Sequence, residues 1–372
     1  MRLEPAANTP TIRLRSPGEV VSAVPYLLGF SPDRSLVVIG LSGRRVVLTC
    51  RVDLSDVVDD RCSGSVVEAL GRVAADRVLI VAYDTERQRT EDALASMTGR
   101  LEPAGVRVLE RISVVGDRWF DEGCTDERCC PPGGVPVIDH DAAPSTMSLH
   151  AVSGGFRRDR AVLVAECHPD SPLLTAAIRS ELVQSGRGPR PGSDEVASAL
   201  RAVLGWGSGR TASAADLALA TLAVGDPLVR DVCYALVAPA MMGSSRPDLR
   251  DLHRSLRRAG ALAGDLDRAG GLRDGDARER VLDRLLGWVR NLPDDLPSTV
   301  MPALVLASTA HWCAGDGARA RILVERARAL DAVPLPMLET LTACLNHGVP
   351  PAELGRVPRP RPRRGRVRRI TA

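Results

Sequence analysis

The sequence predicts an α/β N-terminal domain built on a mixed sheet, followed by an all-α, tetratricopeptide-like C-terminal domain. Three observations carry this. Short β-type runs alternate with helical-period segments over residues 11–170. From residue 171 onward apolar side chains recur at three- and four-residue spacing, as on a helix that buries one face. Between residues 302 and 350, aromatic, turn and small residues then fall in the order a helical hairpin requires. A chain of 372 residues exceeds one ordinary domain. The expected units are 11–170, an α/β domain with a cysteine-rich loop; 171–355, helical; and 356–372, a disordered arginine-rich tail.

The elements follow in chain order. "TIRLRS" alternates with period two, as a strand would, and leads into "SPGEVVSAVPYLLGF". There Ser16 suits an N-cap, Pro17 a first helical turn, and Glu19 the position three residues after the cap. "SLVVIGL" and "RRVVLTCRVDL", joined by "SG", read as a hairpin. "GSVVEALGRVAA" is an amphipathic helix, and "DRVLIVAYD" is the continuous apolar run of a strand covered on both faces. "TERQRTEDALASMTGRLEPAG" is a helix closed by Gly105, and "VRVLERISVVGDRWF" is a strand or strand pair running into the cysteine loop. Residues 131–160 look looser, and "RAVLVAECHPD" reads as a strand with a turn after it.

Beyond it, "PLLTAAIRSELVQSG", "DEVASALRAVLGWG", "SAADLALATLAVGD", "PLVRDVCYALVAPAM" and "ARERVLDRLLGWVRNL" are helices punctuated by Gly, Asp and Pro. The Gly-rich stretch 259–277 reads as a linker. In the final hairpin Trp312, Gly315, Asp316, Ala320, Val324 and Ala327 occupy the aromatic, turn and small packing positions, with "LPMLETLTACLNHG" covering the pair. One such pair cannot bury its own face and needs neighbours.

Composition narrows the function classes. Aromatic residues make up only 3%, so Val, Leu, Ala and Ile must build the cores, and all 49 basic residues are arginine. The net charge of +3 is unevenly spread: the tail carries Arg356, Arg359, Arg361, Arg363, Arg364, Arg366, Arg368 and Arg369 and no acid, so the rest of the chain is net acidic. No apolar run approaches the roughly 18 residues that span a bilayer. The first residues lack the apolar core of a signal peptide, so a cytoplasmic protein without membrane contact is expected. Nine scattered cysteines do not form a secreted disulfide framework. Cys50, Cys167, Cys233 and Cys344 sit in apolar surroundings and read as small buried hydrophobes.

Taken together, "SPGEVVSAVPYLLGFSPDRSLVVIGL", the strand end "CRVDL", the loop "RWFDEGCTDERCCPPGGVPV", "DPLVRD" and "HWCAGDGARARILVERARALD" resemble an actinobacterial domain-of-unknown-function family over residues 11–355. The segment around Arg157 matches less tidily. The resemblance implies no activity.

Several residues are candidates for chemistry. Cys124, Cys129 and Cys130 have the spacing C-x₄-C-C, with His140 ten residues on as a fourth zinc ligand. A Cys124 disulfide, a catalytic thiol with His140 or His150 as base, and a proline-glycine turn anchored by small thiols and Trp119 are the alternatives; the turn is the plainest. Arg51, Asp53, Tyr83 and Asp84 stand at strand ends, where open α/β sheets bind ligands, although an ordinary Arg51–Asp53 ion pair accounts for the first two. "ECHPD", Glu166 to Asp170, offers four polar groups on a turn. "GLSGRR" is too short for a dinucleotide fingerprint. "AVSGGFRRDR" reads as followed by a strand rather than a helix, and a chain without lysine has no P-loop. The eight tail arginines could neutralise phosphates with steep salt dependence, lost on removing residues 356–372, or dock on an acidic partner. The leading expectation is therefore a non-enzymatic protein-interaction or scaffold module. An enzyme or small-ligand sensor at the sheet edge and cysteine loop is the first alternative, and weak non-specific nucleic-acid association through the tail is the second. The sequence leaves the cofactor open, with zinc at the cysteine cluster as the candidate it offers.

Overall fold

The computed structural model describes residues 12–137, 143–153, 155–186, 191–205, 210–238 and 275–351. His140, most of the Gly-rich linker and all eight tail arginines lie outside the described residues.

Helix α1, Pro17–Leu28, starts as the sequence predicts: Ser16 Oγ accepts from Glu19 N, and Pro17 occupies the first turn. It ends at Gly29, whose φ of 80° lets the chain turn left-handed. Strands β1 (Ser35–Ser42) and β2 (Arg45–Asp53) form the antiparallel hairpin. A short helix α2 (Leu54–Val58) and α3 (Ser63–Arg72) lead to β3 (Arg77–Asp84), which pairs antiparallel with β1. Helix α4 (Arg87–Leu101) then crosses over to β4 (Arg107–Val115), which runs parallel to β3. Strands β5 (Arg118–Asp121) and β6 (Val135–Pro136) complete a six-stranded mixed sheet in the order β2-β1-β3-β4-β5-β6.

Period-two alternation gives the sheet two apolar faces. One meets α2, α3 and α4 through Leu36, Val38, Ile80 and Ala82; the other meets α1 through Val37, Ile39, Val81 and Ile112. This double cover explains why β3 is a continuous apolar run.

Two expectations need correction. "TIRLRS" is not a strand, since residues 12–15 have no ladder partner. Leu14 simply packs against the α1-side core, and one-sided packing alone produces the alternation. "RAVLVAE" is helical, α6 in chain order (Arg160–Glu166), not a strand; Asp159 caps it by accepting from Val162 N. A short run of Ala, Val and Leu does not distinguish the two by periodicity. The looser stretch before it holds helix α5 (Pro144–Ser153), tied to α1 by Ser145 Oγ donating to Glu19 Oε2 at 2.8 Å.

The helical half comprises α7 (Pro172–Ser185), α8 (Ser193–Leu204), α9 (Ala214–Ala223), α10 (Pro227–Val237), α11 (Gly275–Arg290), α12 (Pro297–Ala314), α13 (Gly317–Ala329) and α14 (Pro336–Asn346). The α12–α13 hairpin has the anticipated turn. Gly315 adopts φ 89°, Asp316 accepts from Arg319 N, and Ala320, Val324 and Ala327 are buried. Helix α12 is buried without interruption from Val300 to Trp312, so it is the central rod of the described helices.

Arg326 anchors this bundle. Its guanidinium, 2% exposed, pairs with Asp294 at 2.8 Å and donates to the carbonyls of Cys167, Val289, Arg290 and Leu292 at 2.8–3.2 Å. It thereby satisfies carbonyls around the end of α11, those of Arg290 and Leu292 among them.

The two halves also touch. Phe30 of the α/β half lies in the helical core, and its backbone bridges to Arg157. Gly348 sits so close to Ala69 that an added Cβ would lie 2.7 Å from the Ala69 methyl.

Candidate functional site

The strand-end residues divide between the faces of the sheet. Ser35 lies opposite both Asp53 and Tyr83, so Arg51, Asp53 and Asp84 share one end of the sheet. Alternation turns Arg51 and Asp53 to the α1 face, with Val37 and Tyr83, and turns Asp84 to the other, with Ala82. Arg51 pairs with Asp53 at 2.7 Å and donates from Nε to Ser35 Oγ at 2.8 Å. Asp84 is buried and closes the turn into α4, accepting from Thr85 N at 2.6 Å and Glu86 N at 3.1 Å. Arg51 and Asp53 thus stand on the opposite face of the sheet from Asp84, and each group is engaged in holding its own turn or strand end.

"ECHPD" is dispersed in the same way. Glu166 pairs with Arg157 and with Arg319 at 2.9 Å; burial alone would raise its pKa, but the two guanidinium groups hold it below its ordinary value. Cys167 is buried in the helical core, and burial pushes its thiol up to about 12. His168 Nδ1 meets Val164 O at 2.8 Å, and Asp170 pairs with Arg290 at 2.9 Å. This is a capping and docking cluster.

The cysteine loop is different. It is the excursion between β5 and β6, closed at its base where Arg118 pairs with Pro136 and Trp119 with Val135. Two carboxylate turns shape it: Asp121 Oδ1 accepts from Gly123 N at 2.9 Å and Asp126 Oδ1 from Arg128 N at 3.0 Å. The Asp126 carbonyl then receives both Cys129 N, at 3.0 Å, and Cys130 N, at 2.8 Å, winding the segment into one helical turn. On the return side Arg118 donates to the carbonyls of Gly133 and Gly134 at 3.2 and 2.9 Å. Gly134, at φ 71°, lies against the Phe120 ring, where a Cβ would come within 2.6 Å. Only glycine fits there. Across the same ring, Arg87 stacks 4.2 Å from the centroid and pairs with Glu122 at 3.2 Å, joining the loop to the start of α4.

This framework gathers the thiols. The Sγ atoms of Cys124, Cys129 and Cys130 all lie within 4.8 Å of one another. Two clefts flank them, of about 400 Å³ and 280 Å³, and Cys124 and Asp121 line both. The larger also holds Glu110, whose carboxyl is raised by burial and by the neighbouring Asp121. Burial, reinforced by Cys124 and Cys129, pushes the Cys130 thiol up to about 12. A nucleophilic cysteine needs the opposite shift. His150, one of the two bases considered for it, stacks edge-on against Tyr26 at 6.2 Å. His140 falls outside the described residues.

A model of the family described as a domain of unknown function, DUF4192, matches residues 17–352. The chain belongs to this family. The match takes in the sheet, the cysteine loop and the helical half as one unit. No curated protein and no solved structure matches the chain. Among the described residues, no helix is long and apolar enough to cross a membrane.

Sequence reasoning named the three cysteines but not what surrounds them. Arg87, Phe120 and Gly134 carried no motif, although "PPGGVPV" signalled a tight return.

Proposed function

We propose that this protein works by binding, as a non-enzymatic cytoplasmic interaction module whose working surface is the cysteine loop and its flanking clefts. One observation carries the reading: the groups best suited to chemistry are committed to structure, while the loop is pre-shaped and open to solvent. Asp84 closes a turn, Arg51 is paired, and the Cys130 thiol is raised. Cys129, Asp126, Glu127 and Arg128 remain exposed. In this reading the helical bundle is the scaffold that supports the sheet.

The test is affinity capture from native lysate with the full chain and with a Glu127→Arg, Arg128→Glu double variant. At least one protein recovered by the natural chain should be lost with the variant. Recovery of the same set by both would remove the loop from the interaction.

A second reading, a small-ligand sensor, is favoured by the two clefts that share Cys124. The smaller is lined by Arg87, which opens α4 just after the carboxyl end of β3, where parallel strands of open sheets present ligand sites. Saturable binding of a small molecule, abolished by Arg87→Ala, would distinguish it.

A further inference from the structure

The thiol cluster supports a conclusion that goes beyond the binding reading and does not depend on it. We propose that Cys124, Cys129 and Cys130 form a three-thiolate site for a soft d¹⁰ cation, zinc(II) or copper(I).

The geometry comes first. A tetrahedral zinc ion with Zn–S bonds of about 2.3 Å places its sulfurs about 3.8 Å apart. The three Sγ atoms already lie within 4.8 Å of one another, so small side-chain rotations close the set and the backbone can stay where its hydrogen bonds hold it. Three thiolates complete a trigonal copper(I) site. For zinc they leave the fourth position to water or an outside ligand, as in sites that keep one place open.

Other uses of three thiols fit less well. Core packing accounts for Cys167, Cys233 and Cys344, which are buried; Cys129 is exposed and Cys124 and Cys130 are only half-buried. Neighbouring Cα atoms are about 3.8 Å apart, too close for an ordinary Cys129–Cys130 disulfide. The charge nearby favours a cation, since Asp121, Glu122, Asp126 and Glu127 outnumber Arg128 along the loop. A bound cation takes these donors as thiolates, and the three protons leave to solvent. The location also suits a metal. A long loop without strands of its own gains order from a cross-link between its two sides.

The experiment uses full-length, reduced, metal-free protein titrated with cobalt(II) as a spectroscopic stand-in for zinc. The expected result is one cobalt per chain, with thiolate-to-cobalt charge-transfer absorption and the strong visible bands of a tetrahedral site, displaced by added zinc. Cys124→Ser, Cys129→Ser and Cys130→Ser should each weaken binding more than about tenfold, whereas Cys62→Ser should not. A parallel copper(I) titration identifies the preferred ion. Because a serine variant could misfold, alkylation of the natural chain provides an independent reading: bound metal should protect these three thiols and leave Cys62 reactive. The proposal is overturned if no charge-transfer band forms, or if folded serine variants bind as the natural chain does. It is equally overturned if two of the nine cysteines in freshly isolated protein resist alkylation as a disulfide.

Discussion

Two regions of this molecule gather ligands in opposite ways. In the helical half Arg326, a cation of the chain itself, draws four backbone carbonyls and the Asp294 carboxylate around it and is sealed from water. In the β5–β6 loop three soft donors are gathered instead, and the neighbouring arginines turn elsewhere: Arg118 to the carbonyls of Gly133 and Gly134, Arg128 to Asp126. A closed cluster that contains its own counter-charge stabilises a fold. An open cluster of donors without one is where we propose that an outside cation binds.

The sharpest way to break this contrast is at Arg326. Replacement by Ala leaves several buried carbonyls without donors and should destabilise the chain by about 3–5 kcal/mol, read by denaturant unfolding. Arg326→Lys should lose most of the same stability, because a single ammonium cannot reproduce the fork. A loss under about 1 kcal/mol would mean the bundle does not depend on this cation.

Gly134→Ala comes next. Placing a methyl against Phe120 at positive φ should cost about 1–2 kcal/mol and loosen the loop, detectable as faster alkylation of Cys124 and Cys130. Unchanged alkylation would show that the thiol cluster does not rely on the glycine contact.

Acid sharpens the comparison from the helical side. Burial pushes the Asp316 carboxyl up, but the His311 ring at 3.1 Å and the Arg319 guanidinium at 3.0 Å outweigh it, holding the pKa at about 2 against an ordinary 3.8. A carboxylate held low in the folded state stabilises fully above its unfolded value. That contribution is lost as pH falls from about 4 through about 2. The fall in stability over this window should flatten in Asp316→Asn, measured by thermal melts. An equally steep fall in the variant would assign the acid limb to other carboxylates.

Arg51→Ala should have the smallest effect, about 1 kcal/mol or less, since it removes a partly exposed pair at the far edge of the sheet. It should leave metal binding by the loop untouched. A change there would reconnect the two sheet edges and revive a shared site.

These contrasts also explain what the sequence could reveal. The long periodic elements were legible, from β3 with both faces covered to the helices α7–α14 with their Gly, Asp and Pro stops. Helix α6 was not, because a few Ala, Val and Leu residues suit either period. Nothing in the sequence sets Arg326 apart from Arg319, Arg321 and Arg328 on the same helix; its burial depends on the end of α11 arriving beside it from distant sequence. The cysteines were visible as residues but not as a cluster. C-x₄-C-C does not say which way a loop winds. That is decided by the Asp121 and Asp126 turns, by one carbonyl accepting from two cysteine N–H groups, and by Gly134 lying flat on Phe120.

The most direct measurement is metal stoichiometry after zinc loading and desalting, on the natural chain and on a Cys124→Ser, Cys129→Ser double variant. Our account predicts about one zinc per chain retained by the first and none by the second. A natural chain that leaves the column free of metal, or a double variant that keeps its zinc, would contradict the claim that this loop is built around an external cation.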